Sequence, residues 1–245
     1  MRSCSGMRCG EFFCPAWMRA NSGLSRWMGA WALSILIFSA SALRAQAEDA
    51  PTKSALESDP GGWVDIMPAP DLKGWFRVAI PATGKLIRAQ WHVENGILVC
   101  DGDGGHDMLL YDRELRDCIF HVEFCFTKIE GKKGYNSGVF IRTSRDGVIW
   151  HQAQVQSLAG GYLFGVTPAG AGTKKFNVSL KPCRVKEAGE WNTFEVTARG
   201  TDLSLWVNGF LAAELPDCGL DKGYVGLEGE GYLIQFRNLK LKELP

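Results

Sequence analysis

The chain has 245 residues, of which 46% are hydrophobic, 11% aromatic and 22% charged; this excludes a disordered or collagen-like polymer and allows one large domain or two small ones. Its 27 Lys and Arg balance 27 Asp and Glu, so no basic field exists to draw nucleic acid. The 29 Gly and 9 Trp suit a turn-rich, aromatic-rich β protein rather than a helical bundle.

The N-terminus reads as an address. Arg19 and Arg26 precede the apolar run 27–38, and small residues then lead to Ala45-Gln46-Ala47. A basic region, a short apolar core and a small-x-small site make a secretory signal peptide, cut after Ala47. The run is shorter than the ~20 apolar residues a bilayer span needs, so no membrane association is expected once residues 1–47 are gone. Cutting removes five basic residues (Arg2, Arg8, Arg19, Arg26, Arg44) and one acidic residue, Glu11. The mature chain is expected to be mildly acidic and exported, periplasmic or extracellular. Residues 48–62, polar and small with Pro51 and Pro60, read as a flexible linker to a single domain over 63–245.

From Trp63 onward β signals dominate. In the run 119–126, Phe120, Val122, Phe124 and Phe126 alternate with His121, Glu123 and Cys125, the period of a half-buried strand. Similar runs fall at 90–93, 97–100, 137–143, 151–156, 193–198, 203–207, 224–228 and 233–241. Asn95-Gly96 and Asn208-Gly209 lie between such runs and predict hairpins whose turns need positive φ at both positions. The stretch 167–175, rich in Gly and Pro, reads as a flexible loop; its glycines lack the context of a phosphate loop. Many short antiparallel strands in one domain predict an all-β jelly-roll sandwich of two antiparallel sheets. Five cysteines remain after the leader: Cys100, Cys118, Cys125, Cys183 and Cys218. An odd number leaves at least one unpaired, and a bridge such as Cys183–Cys218 is open in an oxidising compartment. No Cys-x-x-Cys spacing suggests zinc.

Seven segments carry a resemblance. They are Asp71-Leu72-Lys73-Gly74-Trp75, the run 91–99 around Glu94-Asn95-Gly96, Asn136-Ser137-Gly138-Val139-Phe140-Ile141-Arg142, Gly189-Glu190-Trp191-Asn192, Leu205-Trp206-Val207-Asn208-Gly209, Gly226-Leu227-Glu228 and Phe236-Arg237-Asn238. Their order and spacing resemble the DUF1080, or 3-keto-disaccharide hydrolase domain, family over nearly the whole mature chain. The resemblance implies a concanavalin A-like, laminin G-like sandwich and a carbohydrate substrate or ligand. It also implies cleavage of 3-keto-glycosides, in which a C3 carbonyl acidifies the C2 proton and the C1 substituent leaves by elimination. Such chemistry needs a base, a group for the enolate oxygen and an acid for the leaving oxygen.

Candidate residues follow from strand alternation. In 137–143, Phe140 and Arg142 share the face opposite Val139 and Ile141; in 151–156, Gln152, Gln154 and Gln156 face away from Ala153 and Val155; Trp206 faces away from Leu205 and Val207. Amides bond hydroxyls in pairs and indole stacks on a pyranose, so Asn136, Gln154, Gln156 and Trp206 are candidate sugar-binding residues. Arg142, with its permanent charge and several donors, is the candidate for the carbonyl or enolate oxygen. Related members often show Glu-Val-Gln where this chain has Gln154-Val155-Gln156, and an amide cannot accept the proton. Replacement bases are Glu228 and His151, with Glu230, His106 and Asp107 behind them. No cofactor is expected, although Asp101, Asp103 and Asp107 offer the oxygen ligands that calcium takes. The rival reading is a non-catalytic, lectin-like carbohydrate-binding module, which the amide at Gln154 favours.

Overall fold

A computed structural model describes residues 50–180 and 182–245. The expected leader, 1–47, lies outside them. The chain forms two antiparallel sheets, as the alternation predicts. In chain order the strands are β1 (Trp63–Asp65), β2 (Trp75–Ala79), β3 (Trp91–Glu94), β4 (Ile97–Cys100), β5 (Asp107–Tyr111), β6 (Cys118–Phe126), β7 (Asn136–Thr143), β8 (Trp150–Gln156), β9 (Leu163–Ala169), β10 (Gly172–Val178), β11 (Asn192–Arg199), β12 (Asp202–Val207), β13 (Phe210–Leu215), β14 (Tyr224–Gly229) and β15 (Ile234–Glu243). The first sheet runs β13-β12-β11-β6-β15-β4-β3, with β1 also paired to β15; the second runs β10-β9-β8-β7-β14-β5-β2. Among the described residues no helix is long and apolar enough to cross a membrane.

The core lies between the sheets. From the first sheet come Phe120, Val122, Phe124 and Phe126 of β6, with Phe194 and Phe236; from the second come Val139, Ala153, Val155 and Leu227. Phe124 and Phe194 meet edge to face at 4.9 Å. Each fully buried side chain of this size contributes ~1.5–3 kcal/mol, so the inward row fixes the register. A one-residue slip would turn all of it to water. The outward partners are then free for other work.

Three sequence expectations change. Residues 167–175 are mostly a ribbon, not a loop: β9 and β10 pair in register from Leu163↔Val178 to Ala169↔Gly172. β10 is exposed along most of its length, so it carries no inward apolar row to betray it. Residues 50–62 are not a free linker. A short helix, α1 (Ala55–Ser58), is closed by a capping box of Ser54 and Glu57. Its first amides, Ala55 N and Leu56 N, donate to the Glu195 carboxylate on β11, and Thr52 N donates to Gly209 O at 2.7 Å. Backbone donors at a helix start need an acceptor, and Glu195 supplies it. All five cysteines are free thiols; Cys183 is exposed and Cys218 buried, so the suggested bridge is not formed.

Candidate functional site

The outer face of the second sheet holds the site. On β8, Trp150, Gln152 and Gln154 share one face by the two-residue period. Phe140 and Gly226 lie beside Gln152 across β7 and β14, and Met108 of β5 lies beside Glu228. Gly138 faces Gln154 across the strands, and any Cβ there would collide with the Gln152 side chain. The missing side chain lets the Gln152 amide lie over the sheet. Together with Ile80, His106, Asn136, Phe164 and Glu230 these side chains enclose a cavity of about 220 Å³. That is below the ~300 Å³ where drug-sized sites begin.

A continuous polar network lines one end. His106 Nε2 lies 2.8 Å from Glu228 Oε1. Gln152 Nε2 donates to Glu228 Oε2 at 2.7 Å. Gln154 donates to the Asn136 carbonyl oxygen, and Asn136 donates to Glu230. Ser137 Oγ donates to the Glu228 backbone oxygen at 2.8 Å, fixing the end of β14. Glu228 is buried, so both carboxylate oxygens depend on these donors.

The charges act on one another. Burial works against the His106 cation, but the hydrogen bond and charge of Glu228, with Glu230 and Asp107, outweigh it and raise the imidazole pKa above its usual value. Burial, and then the neighbouring Glu228 charge, raises the Glu230 carboxyl, with His106 pulling the other way. A carboxyl moved toward neutrality and an imidazole kept cationic are matched to general base and general acid roles. Donor atoms of His106, Glu228 and Glu230 all lie within 4.8 Å of one another. One nitrogen and two carboxylates also form a donor set that could close on a divalent cation.

The sequence candidates divide. Asn136, Gln154 and Glu228 line the cavity, with His106 and Glu230. Gln156 is half-buried on the same strand, beyond the lining residues. Arg142 is elsewhere, and the reason is a bulge. Phe140 pairs with Gly226 and Thr143 with Tyr224, so β7 spends one more residue than β14. Arg142 takes the strain at φ 49, which breaks the alternation that placed it beside Phe140. Its guanidinium is 1% exposed. It donates to Leu115 O at 3.0 Å, Arg116 O at 2.6 Å, Gly200 O at 2.9 Å and Asp117 Oδ1 at 3.2 Å. It ties loops together and does not line the cavity.

His151 is also structural. It points inward with Ala153, and its Nδ1 meets Arg142 O at 3.1 Å while Nε2 meets Thr167 Oγ1 and Cys218 O. Burial drives its pKa below the usual value. Trp206 belongs to the other sheet, on β12, and its indole donates to Thr52 Oγ1 at 2.8 Å. No cradle of Arg142 and Trp206 exists. Nor do Asp101, Asp103 and Asp107 gather: Asp101 faces His92, Asp103 pairs with Arg88, and buried Asp107 accepts from Arg77, Gln90 and Trp91. The sequence reading passed over the apolar lining, Ile80, Met108, Trp150 and Phe164. The two-residue period Trp150, Gln152, Gln154 was the available signal for part of it.

The cavity, lined by amides and carboxylates, lies on one sheet face of a jelly roll. The chain belongs to the 3-keto-alpha-glucoside-1,2-lyase-like domain family, which matches residues 62–242. No curated protein matches the sequence. Among solved structures, a candidate glycosyl hydrolase from Parabacteroides distasonis superposes with a TM-score of 0.55 at 15% identity, covering 80% of this chain and 100% of that one. The carbohydrate-binding module CBM66 from Bacillus subtilis gives 0.52 at 14%, covering 69% and 96%. LamA from Z. galactanivorans, in complex with laminaritriose and laminaritetraose, gives 0.53 at 10%, covering 75% and 99%. At these identities the likeness is one of fold.

Proposed function

We propose that the chain is an exported enzyme that cleaves the glycosidic bond of 3-keto-glucosides by elimination. The observation that carries this is the convergence of His106, Glu228 and Glu230, with both outer members shifted toward acid–base work. Export rests on the leader pattern in residues 1–47. In the first step the Glu230 carboxylate takes the C2 proton, and the C2–H electrons move to make an enolate on the C3 oxygen. Gln154, which keeps one amide hydrogen beyond the one it gives to Asn136 Oδ1, is the donor for that oxygen. In the second step the enolate collapses, C3=O and a C1=C2 bond form, and the C1–O bond breaks. His106 gives its proton to the departing oxygen. The products are an unsaturated 3-keto sugar and an alcohol; adding water across C1=C2 completes a net hydrolysis. Glu228 holds His106 in place and keeps it charged.

A direct displacement by paired carboxylates fits less well. Such a pair must flank the bond from two sides, and Glu228 and Glu230 rise two residues apart on the same side of one strand and its extension. The test is turnover of a 3-keto-disaccharide in D2O. Elimination releases either the unsaturated keto sugar, one water lighter, or its hydrated form with deuterium at C2, both read by mass spectrometry. A hydrated keto sugar that keeps its original C2 hydrogen overturns the mechanism. Tight sugar binding with no cleavage replaces the enzyme by a carbohydrate-binding module, the reading that the amide at Gln154 supports.

A further inference from the structure

His106 is carried by the loop that leads into β5, and Glu228 and Glu230 by the end of β14; both stretches meet one buried side chain. Gln90 stands just before β3, on the edge strand of the first sheet, and is 1% exposed. Its amide oxygen accepts from Gly104 N at 2.9 Å, and its Nε2 donates to Gly105 O at 3.1 Å and to Asp107 Oδ1 at 2.7 Å. Its backbone oxygen accepts from Asp101 N at 2.9 Å. Gln90 therefore grips the chain on both sides of His106. The loop depends on such a grip. Asp101-Gly102-Asp103-Gly104-Gly105 holds three glycines, with Gly102 at φ 75 and Gly105 at φ 95, and glycine loses more conformational entropy on ordering than any other residue. Gly104 comes close enough only because it lacks a side chain: a Cβ there would lie 2.6 Å from Gln90 Cβ.

The same amide lies beneath the carboxylates. Gly229, between Glu228 and Glu230, pairs with Asp107 across β14 and β5. A Cβ at Gly229 would come within 2.7 Å of Gln90 Nε2, 2.8 Å of Asp107 Oδ1 and 3.0 Å of Cys100 Sγ, so the strand end rests directly on the Gln90–Asp107 pair. Asp107 is 1% exposed and is held in turn by Trp91 Nε1 at 3.0 Å and by Arg77 Nε. Neither Gln90 nor Asp107 lines the cavity. We infer that Gln90 and Asp107 are positioning residues, which hold the loop bearing His106 against the strand end bearing Glu228 and Glu230 and so set the 2.8 Å contact between His106 and Glu228. This rests on the reading of His106 and Glu230 as acid and base. Reacting groups must be kept within ~0.5 Å of their working geometry by the packing and hydrogen bonds behind them, and a displacement of about 1 Å can cost ~10²-fold in rate. Asp107, its oxygens committed to three donors, serves the site from behind and takes no proton from substrate.

Two variants test the inference from opposite sides. Gln90→Met keeps the length of the side chain and removes its three hydrogen bonds; Gly229→Ala leaves those groups in place and inserts a methyl group between them and the strand. Folding is checked by circular dichroism and thermal midpoint. The His106 imidazole is titrated by NMR of histidine-labelled protein, its signal assigned among the four histidines with His106→Asn, and kcat and KM are measured on a 3-keto-disaccharide. In the parent, His106 faces Glu228, Glu230 and Asp107 and should titrate above 6.5. In both variants it should move back toward 6.5 as the Glu228 contact loosens, and kcat should fall about tenfold to a hundredfold. KM should stay within a few-fold, because Asn136 and Gln154 make no bond to Gln90. Parental His106 titration or parental kcat in the folded variants overturns the inference, whatever is lost in thermal midpoint. Should Gln90→Met not fold, Gly229→Ala decides alone. If the parent cleaves no keto sugar, the cleavage reading fails, and the His106 titration still decides whether Gln90 and Asp107 set the contact.

Discussion

His106 Nε2 and Glu228 Oε1 lie 2.8 Å apart across the junction of β5 and β14, and the Glu228 charge acts on both its neighbours. It raises His106 by hydrogen bond and charge, and raises Glu230 by repulsion. The proposed base and acid are thus both shifted by a single buried carboxylate. The kcat/KM profile should be a bell. Its acidic limb reports Glu230, above the usual carboxylate range; its basic limb reports His106, above the usual imidazole range. In Glu228→Gln the charge is gone, both pKa values fall, and the whole bell moves to lower pH. A variant bell with unmoved limbs would show that Glu228 does not tune the pair.

Glu230→Gln removes the proposed base without changing the shape of the side chain. A positioned general base typically contributes ~10²–10⁴-fold. The expected result is a kcat loss in that range, with sugar affinity kept within a few-fold and C2 deuterium exchange lost in parallel. Retained exchange would move the base to another residue.

Arg142 serves stability rather than catalysis. Truncation to Ala would leave the Arg116 and Gly200 carbonyls without this donor, and would take one of two donors from Leu115 O and Asp117 Oδ1, which keep Gly223 N and Gly200 N. Breaking one partner of a buried charged network costs ~3–5 kcal/mol. Urea denaturation should show a loss of this order for Arg142→Ala. Arg142→Lys should recover little of it, because one ammonium cannot reach four acceptors arranged for a planar fork. A variant as stable as the parent would contradict the structural role.

The inward-facing half of the fold is legible in the sequence because burial enforces a strict two-residue period. Phe120 to Phe126 on β6 and Ala153 with Val155 on β8 follow it, and the Asn95-Gly96 and Asn208-Gly209 turns adopt the positive φ expected of them. Asn136, Gln154 and Glu228 were reachable for the same reason. What alternation cannot show is an interruption of itself. The extra residue in β7 reverses Arg142, and no local signal marks it, since its cause is the pairing with β14. Trp206 faces outward as read, but a period fixes a face and not a sheet. The β9–β10 ribbon escaped because both its faces meet solvent over much of β10.

His151 makes native stability depend on pH in a window of its own. Burial holds its folded pKa below the usual histidine value of 6.5. As pH falls through 6.5 the unfolded chain gains a proton that the folded chain refuses, so stability declines until the folded pKa is reached. His106 acts in the opposite sense and above 6.5, because its folded pKa is raised; Glu195, whose pKa is lowered, adds a loss only below its usual 4.5. Thermal midpoints of the parent and His151→Gln, measured from pH 8 to pH 4, separate these contributions. The difference between the two proteins should be constant above pH 6.5 and shrink below it. A difference that stays constant throughout would mean that His151 titrates in the folded protein as it does in the unfolded chain.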